Sequence, residues 1–432
     1  MIILPSLEIV PAKYNVSTNT LLSQIPIDGT GDFTVSRTTS PVTGQSTRVN
    51  ALGQIELVAD NVPRLDYPIG GGCPALLVEA GGTNGILNSQ DTATNWSLGA
   101  NLSSGYVDVI GVSGNNLTVA VSGSGLGASA GRLGRANNNF ALASGSTYTI
   151  SFLIKKTGTH TSGGYYALLT GAASGNLGGG FDVSGSFSSG VIYNTAGTTN
   201  RIRRIEQWGT DVFRCSETFT MTASGTLTSF FLAPVASVTS SNNSAVGTQL
   251  GFAAPQLELG SVPTSFIPTT TGSVTRNADV VSVSGAVSGS IGQTQGTIYA
   301  EVDLSRVNTN IIISLHDGVG NNRFIVYFFN STTLIADIRV ATVNANYSVT
   351  IPAIPANGGI YKVALGYKVN DYCFALNGTI YASTASRGVP TTTQVNLGSN
   401  FLGAAQLNDR IRAVALYTTR LTNAELALIT QP

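Results

Sequence analysis

Charge is the first thing this chain is short of. Asp, Glu, Lys and Arg make up 10% of its 432 residues, against about 25% in an ordinary globular protein. The formal net charge is zero. Lysine is scarce, and the one tight basic cluster is Arg201, Arg203 and Arg204. Phosphate backbones are gripped by clustered cations, so nucleic acid is not an expected partner. Three cysteines, Cys73, Cys215 and Cys373, stand far apart. An odd, scattered set excludes a disulfide framework and the closely paired ligands of a zinc site, leaving buried free thiols as the expectation. No apolar run approaches the length of a membrane helix. The start, "MIILPSLEIVPAKYN", has neither a basic segment nor a long apolar one, so neither a signal peptide nor membrane insertion is expected.

Glycine, serine, threonine and asparagine take the place of charge, while 42% of residues are hydrophobic. Nearly every segment reads as strand. "TYTISFLIKK" (147–156) alternates, and "RFIVYFFN" (323–330) is apolar on both faces, as a central sandwich strand would be. The connections are Gly/Ser/Asn/Thr clusters such as "TGAASGNLGGG", read as turns because Gly and Asn tolerate positive φ. "GNLGGG" lacks the Lys-Ser/Thr of a phosphate loop. Short strands at regular spacing predict an all-β chain: a small N-terminal β region, two β-sandwich (jelly-roll) domains and one short C-terminal helix. The expected boundaries are 1–84, 85–270, a linker over 271–289, and 290–432.

Two local predictions are sharp. In "YKVALGYKVNDYCFALNGTIYAS" the dipeptides Asn370-Asp371 and Asn377-Gly378 should turn a meander of strands 361–369, 372–376 and 379–383, with Asn-Gly suited to a type I′ turn. In "RLTNAELALIT", Thr422 and Glu425 have capping-box spacing, and Leu421 and Leu426 stand where a hydrophobic staple would put them.

The stretch "NVPRLDYPIGGGCPALLVEAGGTN" (61–84) suits neither helix nor free linker. Pro63 and Pro68 hold it extended, Arg64 and Asp66 share one face, Gly70–Gly72 permit a reversal, and Ala75–Val78 read as a buried strand. A folded connecting collar is the expectation. With its surroundings it resembles a segment recurring in structural proteins of tailed bacteriophages: F-x-x-x-R, R-V-N-x-x-G-x-I-E, N-V-P-R-x-D-Y, C-P-x-L-L-x-E-x-x-R-T-N-L, then Trp. The match runs through Phe33 and Arg37, Arg48 to Glu56, Asn61 to Tyr67, Cys73 to Glu79, and Thr83, Asn84 and Trp96. Gly82 stands where the pattern has an arginine. "TYTISFLIKKTG" and "IEQWGTDVFRCSETFTM" resemble strands of a carbohydrate-binding-module-like jelly roll, with Val212-Phe213-Arg214 in place of its usual Trp-Tyr-Arg. Residues 254–281 resemble the closing strand and exit peptide of that module in phage proteins. From 296 onward the chain resembles a concanavalin A-like (laminin G-like) sandwich.

The resemblance implies a virion protein: a head or tail fibre, spike or capsid decoration, assembled in the host cytoplasm and carried on the virion surface. Implied partners are other virion proteins, further copies of the chain (a homo-oligomer, trimeric by analogy) and surface glycans. A secreted lectin or adhesin and a polysaccharide depolymerase are the alternatives. Hydrolysis needs two carboxylates about 5–10 Å apart. Glu301 and Asp303 share a strand face in "YAEVDLSRV" and resemble the E-x-D-x-x-E of laminarinase-type enzymes, but Arg306 stands where the last carboxylate belongs. His160 and His316, the only histidines, build no triad with these. No catalytic residue, metal ligand or cofactor is therefore expected; either sandwich has room in principle for a structural Ca²⁺, but no D-x-D-x-D run supports one. Sugar rings stack on exposed aromatics, and Trp208, Tyr165, Tyr166 and Tyr372 are the candidates by type. Trp208 is expected to be the most exposed and Trp96 to fill a sandwich end.

Overall fold

The computed structural model describes residues 4–11, 13–91, 96–98, 102–106, 117–121, 133–157, 164–171, 177–182, 192–194, 197–208, 211–235, 249–306, 309–355, 358–383 and 387–432, with backbone alone over parts of 98–139, 156–194, 231–235 and 249–250 and at 383. The protein is all-β, with several sandwich-like sheets and one short C-terminal helix. Its chain divides into two units. The first comprises residues 1–38, 59–81 and 277–432, the second residues 39–58 and 82–276.

In the first unit an eight-stranded sheet runs in the order Thr379–Ser383, Asp371–Leu376, Gly359–Lys368, Gln295–Leu304, Asp409–Tyr417, Ala75–Val78, Leu65–Asp66, with Leu7–Ile9 also on Asp409–Tyr417. The opposing sheet is built on Thr333–Val340, Arg323–Asn330, Asn310–His316, Gln394–Leu397, Val280–Ser284 and Thr34–Ser36. Gln295–Leu304 alternates as a half-buried strand must, with Ile298, Ala300, Val302 and Leu304 inward. Phe324, Val326 and Phe328 meet Tyr367, Leu365 and Phe374 in the same core. Each such side chain contributes about 1.5–3 kcal/mol on leaving water.

The meander forms, one residue off the expected edge. Asp371 already pairs with Lys368, so Val369 and Asn370 make the first loop. Asn377 (φ 46°) and Gly378 (φ 82°) make the second, both left-handed as a type I′ turn requires. The helix Asn423–Ile429 begins with the capping box: Thr422 Oγ1 accepts from Glu425 N, and the Glu425 carboxylate accepts from Thr422 N at 2.7 Å. Leu421 and Leu426 are both buried against Ala364, Cys373 and Ala375.

The second unit holds two six-stranded sheets. One is ordered Ser97–Leu98, Leu133–Leu142, Gly225–Val235, Gly164–Gly171, Leu177–Asp182, Ile192–Asn194. The other is ordered Leu102–Tyr106, Leu117–Val121, Gln249–Leu259, Thr147–Thr157, Val212–Met221, Thr198–Gln207. Its core is aromatic: Trp96 lies edge-on to Phe230 and Phe252 at centroid distances of 5.8 and 5.6 Å, and donates its indole N–H to Asn88 O. Gly178–Gly180 belong to the strand Leu177–Asp182 rather than to a turn, because cross-strand pairing with Gly164–Gly171 overrides glycine's local preference.

The expected boundaries are corrected. Residues 1–84 are no separate collar, since their strands of two to four residues are too short to bury a core of their own. Leu7–Ile9, Thr34–Ser36, Leu65–Asp66 and Ala75–Val78 join the first unit's sheets, whereas Thr39–Ser40, Ser46–Val49, Ile55–Val58 and Gly82–Asn84 belong to the second. The expected linker 271–289 is ordered: Val274–Arg276 and Val280–Ser284 are strands, followed by the 3₁₀ turn Gly285–Ser290. Among the described residues no helix is long and apolar enough to cross a membrane.

Candidate functional site

Several charged residues of the recurring pattern lie in the interior. In the first unit Arg37, Arg64, Glu79 and Asp279 converge from four separate stretches of sequence, each at most 6% exposed. Asp279 is the hub. Its Oδ1 accepts from Arg37 Nη1 at 3.0 Å, and its Oδ2 accepts from Arg64 Nη2 and from Glu79 N at 2.9 Å. Arg64 Nη1 donates to Glu79 Oε2 at 2.7 Å. Arg37 also donates to Val62 O (2.9 Å) and Ala59 O (2.8 Å). Two positive and two negative groups balance, which is the condition for burying them. Opposing charges hold the Arg64 guanidinium protonated against burial, which alone would favour its neutral form. Local geometry feeds this cluster. Asn61 takes a left-handed φ of 61° and accepts from Arg37 N, while Gly70, Gly71 and Gly72 all have positive φ at the reversal before Ala75–Val78.

Asp66, expected beside Arg64 on one face, is also buried and accepts from Arg410 Nε at 2.6 Å. Nearby, Asp409 is 4% exposed, and its Oδ2 has no partner among the described residues. Burial pushes its carboxyl up to about 7, against hydrogen bonds from Ser305 and the charges of Arg410 and Arg306.

The second unit holds the rest of the pattern. Arg48 and Glu56 face each other across the hairpin Ser46–Val49/Ile55–Val58 and pair at 2.6 Å. Asn50 caps that hairpin by accepting from Leu52 N and Gln54 N, and Gly53 supplies the positive φ. Fully buried Asn84 accepts from Ile86 N and Leu257 N and donates to Ile267 O and Pro255 O. A Cβ at Gly82 would lie 2.8 Å from Glu258 Oε2, so Glu258 is the group that faces the position where the pattern has arginine. Glu258 is satisfied by neutral donors instead: Gln256 Nε2 (2.7 Å), Thr264 N (2.8 Å) and Thr264 Oγ1 (2.7 Å). Burial raises its pKa above the ordinary carboxylate value, and these hydrogen bonds and the more distant Arg214 only partly oppose that.

The carboxylates considered for hydrolysis are engaged in cross-strand pairing. Glu301 accepts from Arg412 Nε at 2.7 Å, and Asp303 lies opposite Arg410 in the strand register. His316 is buried; its Nδ1 accepts from Gly318 N at 3.1 Å, and Nε2 sits 3.3 Å from Asn396 Oδ1. Burial lowers its pKa, so the imidazole is a neutral bridge at the strand end. Asp317 accepts from Val319 N, Gly320 N and Asn322 N and so closes the following turn. His160 lies outside the described residues. Among the described residues no three His, Cys, Asp or Glu side chains group as metal ligands would.

Of the four aromatic candidates, Trp208 and Tyr372 have described side chains, one in each unit. Tyr372 is 0% exposed and donates its hydroxyl to Gly388 O. It offers no ring face, which corrects its selection: it alternates into the core from a central strand. Trp208 is half-buried against Ile55, Leu153, Ala253, Ala254 and Phe266, with the Arg214 guanidinium 5.4 Å from its ring centroid. It is the more exposed of the two candidates whose side chains are described, though one part of the ring is covered. Tyr165 and Tyr166 lie on Gly164–Gly171, where the side chains fall outside the described set. The basic cluster also turns inward: Arg201 and Arg203 both pair with buried Glu217. Of the cysteines, Cys215 and Cys373 are buried as expected, but Cys73 is exposed beside the glycine reversal.

No family model matches the chain, and no curated protein matches it. Solved structures similar to part of it include the Ruminococcus gnavus IT-sialidase CBM40, 21% identical over 34% of this chain and 88% of that one, with a TM-score of 0.30. The K499G mutant of the NanB sialidase from Streptococcus pneumoniae is 15% identical over 35% of this chain and 26% of that one, TM-score 0.30. Domain 4 of AbnA, a GH43 extracellular arabinanase from Geobacillus stearothermophilus, is 15% identical over 36% and 73%, TM-score 0.28. Likeness at this level carries no argument about what the chain binds.

Proposed function

We propose that the chain is a structural appendage protein of a tailed-phage virion, a fibre, spike or decoration, that adheres to surface glycans and breaks no bonds. The observation that carries this reading is the convergence of Arg37, Arg64, Glu79 and Asp279. Arg37, Arg64 and Glu79 belong to separate parts of the recurring pattern and Asp279 to the stretch 254–281 that resembles the exit peptide in phage proteins, and resemblances matched by accident have no reason to close on one another. A hydroxyl-rich surface with little charge supports contact with polysaccharide through hydrogen bonds. The engagement of Glu301 with Arg412 favours a binding role over hydrolysis on that strand.

Mass spectrometry of particles banded from a lysate of the strain carrying the gene tests the first part. The chain is expected in the particle band; recovery only as free protein in the culture supernatant would overturn it in favour of an adhesin. Incubating the full chain with host capsular polysaccharide tests the second. Retention of polymer without shortening is expected, and a fall in polymer length on size-exclusion chromatography would overturn the non-enzymatic role.

A further inference from the structure

A polar depression of about 350 Å³ opens on the first unit, lined by Gln295, Lys368, Asp371, Arg420, Thr422 and Asn423. That volume is at the small end of the roughly 300–1,000 Å³ of ligand sites. Three of these residues form one cross-strand row, since Gln295 lies opposite Lys368 and Lys368 opposite Asp371. Residues directly opposite in an antiparallel register carry their side chains on the same face, so amide, ammonium and carboxylate stand side by side. Arg420 closes the row: its Nη2 donates to Asp371 Oδ1 at 2.9 Å and to Asn423 Oδ1 at 2.8 Å. The Arg420 charge is thus balanced by Asp371, while the Lys368 ammonium and the Gln295 amide form no side-chain hydrogen bond among the described residues.

We infer that this depression binds a carboxylated sugar residue of an acidic polysaccharide, with Lys368 pairing the sugar carboxylate and Gln295 and Asp371 taking its hydroxyls. The inference rests on the glycan-adhesion reading above and names the class of glycan and the place. One unbalanced cation suits a monoanionic residue, whereas a polyphosphate would need a cluster of them. No aromatic ring lines the depression, so recognition runs through charge and hydrogen bonds instead of ring stacking. Those are the contacts that distinguish a uronic or similar acidic sugar from its neutral counterpart.

The test is an array of acidic oligosaccharides (galacturonate, glucuronate and sialylated forms), each beside its carboxyl-reduced counterpart, probed with the full chain and with Lys368→Ala, Lys368→Arg and Gln295→Ala. Binding of the acidic forms and loss on carboxyl reduction are expected. Lys368→Ala should weaken binding about tenfold or more, the loss of one charge-assisted hydrogen bond; Lys368→Arg should retain most of it, and Gln295→Ala should cost less. Lys368 is exposed, so an unchanged melting temperature will show that the variant is folded. Equal binding of the reduced forms, or binding indifferent to Lys368→Ala, overturns this site while leaving glycan adhesion standing. Failure to bind any saccharide, acidic or neutral, overturns both.

Discussion

Each unit sinks a carboxylate to about 1% exposure, Asp279 in the first and Glu258 in the second, and the two are accommodated by opposite means. Asp279 is met by two guanidinium groups. Glu258 is met by an amide, a hydroxyl and a backbone N–H, and burial raises its pKa. Burying a charge is costly unless it is paired or neutralised, and this protein uses both solutions. The first ties four distant stretches together and makes each dependent on the others. The second is local, because Gln256, Glu258 and Thr264 lie within nine residues of one another, and it asks less of the rest of the fold.

The largest effect should come from breaking the first solution. Arg64→Ala leaves Asp279 and Glu79 buried with one guanidinium fewer and should cost about 3–5 kcal/mol. Urea unfolding should show the loss in the first unit's transition, with the second unit's unchanged. Asp409 then sharpens the contrast, as a carboxylate in the first unit whose Oδ2 lacks a partner among the described residues. Its folded value of about 7 stands above the ordinary 3.8. The stability this group contributes is therefore fully present below about pH 4 and is lost as pH rises through 7. Asp409→Asn should remove that dependence and stabilise the protein at pH 8 by on the order of 4 kcal/mol, read from melting curves between pH 4 and 8.

Glu258→Gln tests the second solution, and its expected effect is smaller. Because the folded pKa is raised, the same sign applies: stability associated with this group is present at acidic pH and declines as pH rises through the folded value. The amide keeps the acceptor for Gln256 and Thr264 N and abolishes ionisation. The second unit's melting temperature should rise at neutral pH and match wild type near pH 4; a fall at neutral pH would mean that Glu258 is charged in the fold. The smallest effect is expected at the exposed helix cap Thr422, which brings no charge into the interior. Thr422→Ala removes the cap of Asn423–Ile429 and should cost about 1 kcal/mol, measurable by chemical denaturation.

Local signals were legible in the sequence where their physics is local. Thr422 and Glu425 are three residues apart, and Asn377-Gly378 carries its own φ preference, so the capping box and the type I′ turn follow from spacing and residue type. The buried strand Ala75–Val78 followed from its apolar run. Tyr372 was misjudged because exposure depends on what the rest of the chain lays over a ring: an entire sandwich covers it, whereas Arg214 and a minor core cover Trp208 only in part. Gly178–Gly180 read as a turn because glycine's freedom is visible in sequence, while the neighbouring strand that uses it is not.

By itself the sequence determined the all-β class, the C-terminal meander and helix, and the set of charged residues set apart from an otherwise uncharged composition. Each depends on residue type over a few neighbouring positions. Only the tertiary structure decided that residues 1–84 divide between two units, that Asp279 joins Arg37 to Arg64, and that Gln295, Lys368 and Asp371 stand in a row. Pairing between strands hundreds of residues apart is set by which edges remain open and which charges must be met in the interior, and no window of sequence contains both partners.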